Sequence, residues 1–215
     1  MAWRCSDSVA AAMKSVDRAN YIYYENLKDQ TYDDSPLPIG YAVTISAPHM
    51  HAYALENLLP FFKPGSKVLD VGSGSGYLCA VIHHLIGPTG KVVGIDHISE
   101  LVSRSVSNLV NDGLNKALLS GSIQMVTGDG RKGYPSEGPY DAIHVGAAAP
   151  VIPQDLIEQL ASPGRMFIPV GSELENQRLF QVDKDQDGKV TQKDLFGVMY
   201  VPLTDEAKQR EAARS

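Results

Sequence analysis

The chain has 215 residues, of which 43% are hydrophobic and 20% charged, and its formal net charge is −6. This length suits one packed domain and is short for two, and the acidic balance argues against a nucleic-acid partner, which normally requires a basic face. No apolar run approaches the ~20 residues of a membrane helix. No signal peptide is recognisable, and two cysteines, Cys5 and Cys79, exclude a disulfide framework and favour a reducing compartment.

The hydrophobic pattern predicts helices over residues 7–16 and 50–59, separated by an irregular stretch, 20–48, that is rich in Tyr and Pro. Strands then alternate with helices. The predicted strands are 67–71, 91–95, 123–126, 142–145 and 166–170, and the helices are 77–86, 99–109 and 155–160. This alternation predicts an α/β fold with a mostly parallel sheet and helices on both faces. The charged tail, 205–215, is predicted to be a solvated helical end.

A glycine-rich turn follows the first strand of the sheet, in the run Val68-Leu-Asp-Val-Gly-Ser-Gly-Ser-Gly76. Glycines let the backbone turn tightly and approach a ligand, and the next helix offers free N–H groups. The pattern is G-x-G-x-G, whereas the third glycine of a dinucleotide fingerprint would fall at Ser75. Asp70, two residues before Gly72, would repel a pyrophosphate but suits the ammonium of an amino-acid ligand.

Acids also follow the next two strands. Asp96 ends the second strand, where it could accept hydrogen bonds from ribose hydroxyls, and Asp129 follows the third, where it could bind an adenine amino group. Each alone could be an ordinary strand-end or turn residue. Together with the glycine turn they resemble the class I methyltransferase arrangement. That resemblance implies a Rossmann-like fold and S-adenosyl-L-methionine as cofactor, with S-adenosyl-L-homocysteine as product.

Residues 141–150, at the end of the fourth strand, limit which chemical group can accept the methyl. It has no [DNS]-P-P-[FYW] box of amine methyltransferases and no acidic ligands of catechol-type enzymes. No cysteine is placed for cytosine methylation, since Cys79 is predicted to be an inert core residue. A carboxylate fits, because it is ionised at neutral pH and requires no strong general base.

Six stretches resemble the protein-L-isoaspartate (D-aspartate) O-methyltransferase family, over about residues 7–209. They are the glycine turn and residues 32–40, 44–51, 127–134, 140–150 and 197–204, of which Thr44-Ile-Ser-Ala-Pro-His-Met50 is the most specific. The resemblance implies methyl transfer to the free α-carboxylate of L-isoaspartyl and D-aspartyl residues in damaged proteins and peptides, initiating their repair. It further implies a cytosolic monomer that binds neither nucleic acid nor membrane.

The resemblance also implies an antiparallel hairpin near the C-terminus. We expect a single methyltransferase domain over 1–215, in which 1–60 covers substrate and cofactor, 61–175 forms the cofactor-binding core and 176–215 forms the hairpin and tail. The family usually has a longer helical segment before the stretch that matches Asp7.

Individual residues receive expected roles. Ser46 matches the family's active-site serine, and its hydroxyl would hydrogen-bond the substrate carboxylate; alternatively, it only stabilises the turn before Pro48. The glycine turn, the strand-end acids and the resemblance together predict the cofactor residues Val43, Thr44, Ile45, His51, Asp70, Gly72, Gly74, Ser75, Asp96, His97, Asp129, Gly130, Thr204 and Gln209. The predicted substrate-binding residues are Ser46, Ala147, Ala148, Ala149 and Pro150.

Two patterns could suggest a metal, but neither leads us to expect one. His49 and His51 lack a third ligand. Residues 183–194 fit an EF-hand loop, yet Asp187-Gly188 lies between strand-like flanks and is a hairpin signal. Two other functions stay open: a cofactor-binding or calcium-binding module without catalysis, and a methyltransferase acting on another small carboxylate.

Overall fold

The computed structural model describes residues 5–172 and 176–214. Residues 1–4, at the N-terminus where the family has its longer segment, lie outside the described residues. The predicted boundary at residue 175, between the core and the C-terminal part, lies outside them as well. Within the described ranges, no helix has the length and apolar character required to cross a membrane.

The N-terminal part begins with helical segments. Helix α1 (Asp7–Lys14) is capped by Ser6, whose hydroxyl accepts a hydrogen bond from Val9 N. Two short 3-10 turns follow, Arg18–Tyr21 and Glu25–Gln30. The first of them packs against the helix of residues 99–111.

A small hairpin precedes the second helix. Strands β1 (Leu37–Gly40) and β2 (Val43–Ile45) pair antiparallel, and helix α2 (Pro48–Leu58) starts soon afterwards with proline in its first turn. The sequence-based prediction of an irregular segment is therefore wrong at this hairpin. Its turn escaped notice because Tyr41 and Ala42 both have φ +55°, a conformation for which Asn or Gly is the usual signal.

Seven strands form the central sheet, in the spatial order β5-β4-β3-β6-β7-β8-β9. In chain order they are β3 (Lys67–Val71), β4 (Lys91–Asp96), β5 (Ile123–Thr127), β6 (Tyr140–Val145), β7 (Leu160–Val170), β8 (Gln177–Lys184) and β9 (Val190–Val198). The first five in spatial order run parallel, whereas β8 and β9 continue the sheet as an antiparallel hairpin. The predicted Rossmann-like methyltransferase fold is confirmed.

Helices cover both faces of this sheet. They are α2 and, later in the chain, α3 (Tyr77–Ile86), α4 (Ser99–Asn111), α5 (Asn115–Ser120) and α6 (Gln154–Gln159), with α7 (Glu206–Ala212) near the C-terminus. Successive residues of β3 pack on opposite faces of the sheet, in two hydrophobic clusters. Val68 packs with Cys79 of α3, and Leu69 packs with Leu156 of α6. Because both faces are buried, the parallel strands are continuous apolar runs, which is why the sequence revealed them.

Three features of the predicted secondary structure need correction: a missing helix, the start of a strand and the environment of the tail. Helix α5 was not predicted, and β7 begins at Leu160 rather than at residue 166, because Leu160 pairs with Tyr140 of β6 and Gly164 pairs with Lys184 of β8. The tail is helical, but it is not merely a solvated end. Arg210 of α7 is half-buried and forms a bidentate ion pair with Glu100 of α4 at 2.7 and 3.0 Å, which fixes α7 against the body of the protein.

Candidate active site

The turn after β3 is built from glycines in a conformation that other residues rarely adopt. Gly72, Gly74 and Gly76 have φ of +73°, +50° and +83°. The amides of Gly72 and Ser73 both donate to the carbonyl of Ile95 in the neighbouring strand, at 2.9 and 3.1 Å. The turn is therefore held in a fixed shape at the carboxyl edge of the sheet.

Asp96 ends β4 directly beside this turn and is buried. One carboxylate oxygen accepts a hydrogen bond from Gly74 N at 3.1 Å, and the other accepts one from Ile98 N at 3.0 Å. Burial raises the pKa of the Asp96 carboxyl, and this effect exceeds the lowering by the two amide bonds. Asp96 lines a narrow cavity together with Gly72 and His97, where its remaining lone pairs can accept hydrogen bonds from a ligand.

Asp70 lies beneath the glycine turn and is 1% exposed. Its Oδ1 accepts a hydrogen bond from His144 Nδ1 at 2.7 Å, and its Oδ2 accepts a weak one from Cys79 Sγ at 3.2 Å. Burial, followed by the nearby Asp70 carboxylate, raises the pKa of the Cys79 thiol well above its usual value. Cys79 is therefore a protonated core residue. The Asp70 carboxylate faces His144 rather than the narrow cavity, and its contact with a cofactor ammonium stays a prediction.

Asp129 caps the 3-10 turn Gly130–Lys132 and has a different partner from the one expected. Arg131 donates to its carboxylate through Nε and Nη2, at 2.9 and 2.8 Å. These bonds hold the pKa of Asp129 below its usual value. The adjoining Gly130 lines the narrow cavity. The segment thus reaches the narrow cavity through Gly130, while the side chain of Asp129 is engaged by Arg131, and the contact of Asp129 with an adenine stays a prediction.

The C-terminal segment 201–209 lies over the narrow cavity and is called the C-terminal cover below. Leu203, Thr204 and Gln209 are among its lining residues. The Gln209 amide is held on both sides, because its Oε1 accepts a hydrogen bond from His97 Nε2 at 2.8 Å and its Nε2 donates to Tyr41 O at 3.0 Å. Two predicted cofactor residues, His97 and Gln209, are therefore in direct contact although 112 residues separate them in sequence.

The segment 43–51 borders the other side of the site. Val43 lines the narrow cavity, Thr44 and Ser46 line a larger cleft, and Ile45 is buried in the core. The carbonyl of Ser46 accepts a hydrogen bond from Arg18 Nη2 at 2.9 Å. Ser46 thus lies at the junction between β2 and α2, where it lines the larger cleft.

His51 is buried against Tyr77, with 5.0 Å between the ring centroids. Its Nδ1 has no hydrogen-bond partner within the described part of the chain. Burial, together with the positive charge of Arg18, lowers the pKa of His51 well below its usual value. The ring is therefore neutral at physiological pH.

The larger cleft adjoins the narrow cavity and has a volume of about 1350 Å³. The two share Gly146, Thr204 and Gln209 among their lining residues. Exposed Met199 and Val151 lie on the same side of the molecule, since Met199 lines the cleft and Val151 follows its lining residue Pro150. The cleft is large enough to accept several residues of an extended peptide.

The predicted substrate-binding residues 147–150 do not all line the same cavity. Ala148 and Pro150 line the large cleft, and Ala147 lines the narrow cavity. Ala149 packs in the core and pairs with Val170 of β7. The backbone of Ala148 exchanges hydrogen bonds of 2.8 Å with Val201 and Leu203. The segment thus anchors the C-terminal cover over the site.

Sequence reasoning missed four residues around the site: His144, Arg18, Tyr77 and Arg131. A signal for one of them was present, because Asp70 and His144 lie inside mostly apolar runs of β3 and β6, where both are buried, and they lie in register in these adjacent strands. Arg18 and Tyr77 carried no comparable signal. Their partners are distant in sequence, and only the packing of the N-terminal turns on α3 brings them together.

The two metal hypotheses are not supported. Among the described residues, no group of three or more His, Cys, Asp or Glu side chains could hold a metal ion. The EF-hand-like stretch connects strands β8 and β9 instead of two helices, with Gly188 at φ +81° in the turn. Its first and last acids, Asp183 and Asp194, form ion pairs with Arg165 and Arg178.

The seven-stranded, mostly parallel sheet, with a glycine turn after β3 and an acid at the end of β4, defines a class I methyltransferase that uses S-adenosyl-L-methionine. The family model described as Protein-L-isoaspartate(D-aspartate) O-methyltransferase matches residues 2–208. The chain belongs to this family.

Known proteins resemble the chain over nearly its whole length. Protein-L-isoaspartate O-methyltransferase 1 of Arabidopsis thaliana is 49% identical, with 95% of this chain and 86% of the relative covered. The Caenorhabditis elegans protein-L-isoaspartate O-methyltransferase is 46% identical, covering 92% and 85%. A Plasmodium falciparum protein-L-isoaspartate O-methyltransferase, crystallised with S-adenosyl-L-homocysteine, superposes with a TM-score of 0.82 at 34% identity, covering 94% and 92%.

The residues that line the narrow cavity have the chemistry of a nucleoside site, since the buried Asp96 carboxylate lies there beside Gly72, Gly130 and Gly146. Gly146 packs closely on the glycine turn, because a Cβ on Gly146 would lie 3.2 Å from the carbonyl oxygen of Gly72. Two buried atoms near the site, Ser73 Oγ of the glycine turn and His51 Nδ1 of α2, have no partner within the described ranges, although neither residue lines the narrow cavity. Such unpaired buried atoms are costly unless a ligand or water pairs with them.

Proposed function

We propose that this chain transfers the methyl group of S-adenosyl-L-methionine to the free α-carboxylate of L-isoaspartyl and D-aspartyl residues in damaged proteins and peptides, and so initiates their repair. The observation that carries the proposal is the family match over 2–208, combined with the position of Ser46 on a peptide-sized cleft that adjoins the cavity lined by Gly72 and Asp96.

When bound, the cofactor supplies an electrophilic methyl on a sulfonium. The residues proposed to hold it are those of the turn, the strand ends and the cover: Val43, Thr44, Ile45, His51, Asp70, Gly72, Gly74, Ser75, Asp96, His97, Asp129, Gly130, Thr204 and Gln209. Ser75 is buried, and its carbonyl accepts a hydrogen bond from Asn108 of α4 at 3.0 Å, which holds that part of the turn in place.

Ser46 would act on the acceptor. An isoaspartyl residue presents an α-carboxylate where an ordinary chain continues, and this group needs no proton removed before it reacts. The Ser46 hydroxyl would donate a hydrogen bond to one of its oxygens and orient the other, while Ala147, Ala148, Ala149 and Pro150 would border the peptide. Alignment of this kind can lower a barrier by roughly 7–11 kcal/mol.

A direct assay tests both parts of the proposal. We expect methyl transfer from labelled S-adenosyl-L-methionine to an isoaspartyl peptide, as a base-labile ester, and none to the matched aspartyl peptide. Loss of one oriented hydrogen bond costs about 1–3 kcal/mol, so Ser46→Ala should lower turnover roughly 5- to 150-fold. Ser107→Ala, which changes an exposed serine on α4, is the control. Equal labelling of both peptides would refute the substrate assignment, and unchanged turnover of Ser46→Ala would refute the role of the serine.

We further propose that the chain acts as a single domain and as a monomer in the cytosol. Both cysteines are unpaired, Cys5 exposed and Cys79 buried, which suits a reducing compartment. Light scattering of the purified protein should give the mass of one chain, 23.3 kDa. A mass of two chains at micromolar concentration would contradict the monomer.

A further inference from the structure

A buried arginine lies behind the active-site segment. Arg18, in the 3-10 turn Arg18–Tyr21, is 3% exposed. It forms no direct ion pair with a carboxylate in residues 5–172 or 176–214, Asp34 acting on it only as a nearby charge, and its Nη1 has no hydrogen-bond partner there. Burying a charge without a directly paired counter-charge is unfavourable. An apolar side chain of similar size would fill this space at lower cost, so packing alone does not explain an arginine here.

The guanidinium connects two separate parts of the backbone. Its Nε donates to the carbonyl of Thr31, which is fully buried, and its Nη2 donates to the carbonyl of Ser46, both at 2.9 Å. Its Cζ lies over the ring of Tyr77 in α3, 5.5 Å from the ring centroid. Because the arginine fork is planar and rigid, these contacts fix the position of the Ser46 carbonyl relative to α3 and the glycine turn that precedes it.

Local contacts alone do not fix the orientation of the Ser46 peptide, whose carbonyl Arg18 contacts. Ser46 lies between the end of β2 at Ile45 and the start of α2 at Pro48, and the residue that caps α2, Ala47, has no side chain able to form a capping bond. The peptide of residue 46 therefore depends on tertiary contacts for its orientation. The hydroxyl of Ser46 is attached to that same residue.

We propose that Arg18 is a positioning residue for methyl transfer: its bond to the Ser46 carbonyl orients Ser46 so that the hydroxyl meets the substrate carboxylate. This inference rests on the proposed role of Ser46. It assigns to Arg18 an effect on turnover that is exerted through Ser46, and no direct contact with substrate or cofactor.

A double-mutant cycle tests the inference. Arg18→Lys keeps the charge but loses the fork, so we expect kcat to fall about tenfold or more, with KM for the isoaspartyl peptide within about twofold. In a Ser46→Ala background the same substitution should change kcat less than about twofold, because two groups that act as one unit are not additive. Arg178→Lys, an exposed arginine of β8, is the matched control. Arg18→Gln, which retains an amide donor, replaces the lysine variant if that variant does not fold.

The outcomes separate the two proposals. Equal loss of kcat in both backgrounds, or unchanged kcat in Arg18→Lys alone, overturns the positioning role. Loss of S-adenosyl-L-homocysteine binding in proportion to kcat, measured by calorimetry, also overturns it, since a general structural defect affects both. Unchanged turnover in Ser46→Ala alone overturns the proposed role of Ser46, and the positioning role with it.

Discussion

Gln209 near the C-terminus donates a hydrogen bond to the backbone carbonyl of Tyr41 in the N-terminal hairpin, at 3.0 Å, across 168 residues of sequence. The other end of the same amide accepts a hydrogen bond from His97 at the end of β4. One side chain thus joins three elements over the cavity proposed for the cofactor. The cavity is therefore bordered by the N-terminal hairpin and the C-terminal helix, which meet at the carboxyl edge of the sheet.

Replacement of Gln209 by alanine should weaken cofactor binding. Two hydrogen bonds are lost, each worth about 0.5–1.5 kcal/mol, so we expect the Kd for S-adenosyl-L-homocysteine to rise roughly 5- to 150-fold. Calorimetric titration measures this. Gln154→Ala, at the start of α6, changes an exposed glutamine and should bind normally. Unaltered binding by Gln209→Ala would show that the cover does not contribute to affinity.

Alanine at Gly76 should destabilise the fold more than alanine at Gly113. Both glycines have nearly the same φ, +83° and +82°, but a Cβ on Gly76 would lie 3.1 Å from Ser105 Cβ, whereas nothing lies within 4 Å of one on Gly113. The left-handed conformation costs either variant about 1–2 kcal/mol, and the close contact adds about 1 kcal/mol or more at Gly76. Urea unfolding of the two variants isolates the contact. Equal losses would mean that Ser105 moves away without cost.

The stability of the protein should fall at acidic pH in part through His51. Its pKa in the folded protein lies well below 6.5, so below pH 6.5 the unfolded state binds a proton that the folded state does not. Stability from this group is complete above about pH 6.5 and decreases as the pH falls toward the folded pKa. Between pH 6.5 and 5 the loss is at most about 2 kcal/mol.

Urea unfolding of the wild type and of His51→Gln at pH 7.5 and pH 5 measures this contribution. The variant should lose less stability between the two pH values than the wild type does. His84→Gln, which removes an exposed histidine, should leave the pH dependence unaltered. If His51→Gln and the wild type lost the same free energy of unfolding, His51 would have to be protonated in the folded state.

Calcium should have no effect on the EF-hand-like stretch. The carboxylate of Asp183 accepts hydrogen bonds from Arg165 at 2.6 and 3.1 Å, and Asp185 accepts bonds from the amides of Asp187 and Lys189 within the hairpin turn. We expect millimolar calcium or its removal by a chelator to leave Tm and tyrosine fluorescence the same. A saturable rise in Tm with calcium, absent in Asp185→Ala, would contradict this.

Local sequence predicted the parallel strands well because each is a short apolar run buried on both faces, as in 67–71 and 91–95. It failed where distant contacts set the structure. Residues 161–165, Ala-Ser-Pro-Gly-Arg, are typical of a loop, yet they belong to β7 because Gly164 and Arg165 pair with β8. The tail has the composition of a solvated helix, yet Arg210 and Gln209 attach it to α4 and the hairpin.

By itself the sequence determined the alternation of the parallel strands with helices, the glycine turn and the position of acids at strand ends, because these depend on residue type and short-range spacing. Only the tertiary structure decided what each polar group contacts. Asp70 pairs with His144 because β3 and β6 are adjacent and in register, Asp129 is engaged by Arg131, and Arg18 reaches the carbonyl of Ser46. The bonds of Asp70 and of Arg18 depend on register and packing over 74 and 28 residues of sequence, which local pattern alone does not determine. Asp129 and Arg131 are two residues apart, and only the folded conformation of their side chains decided that they pair.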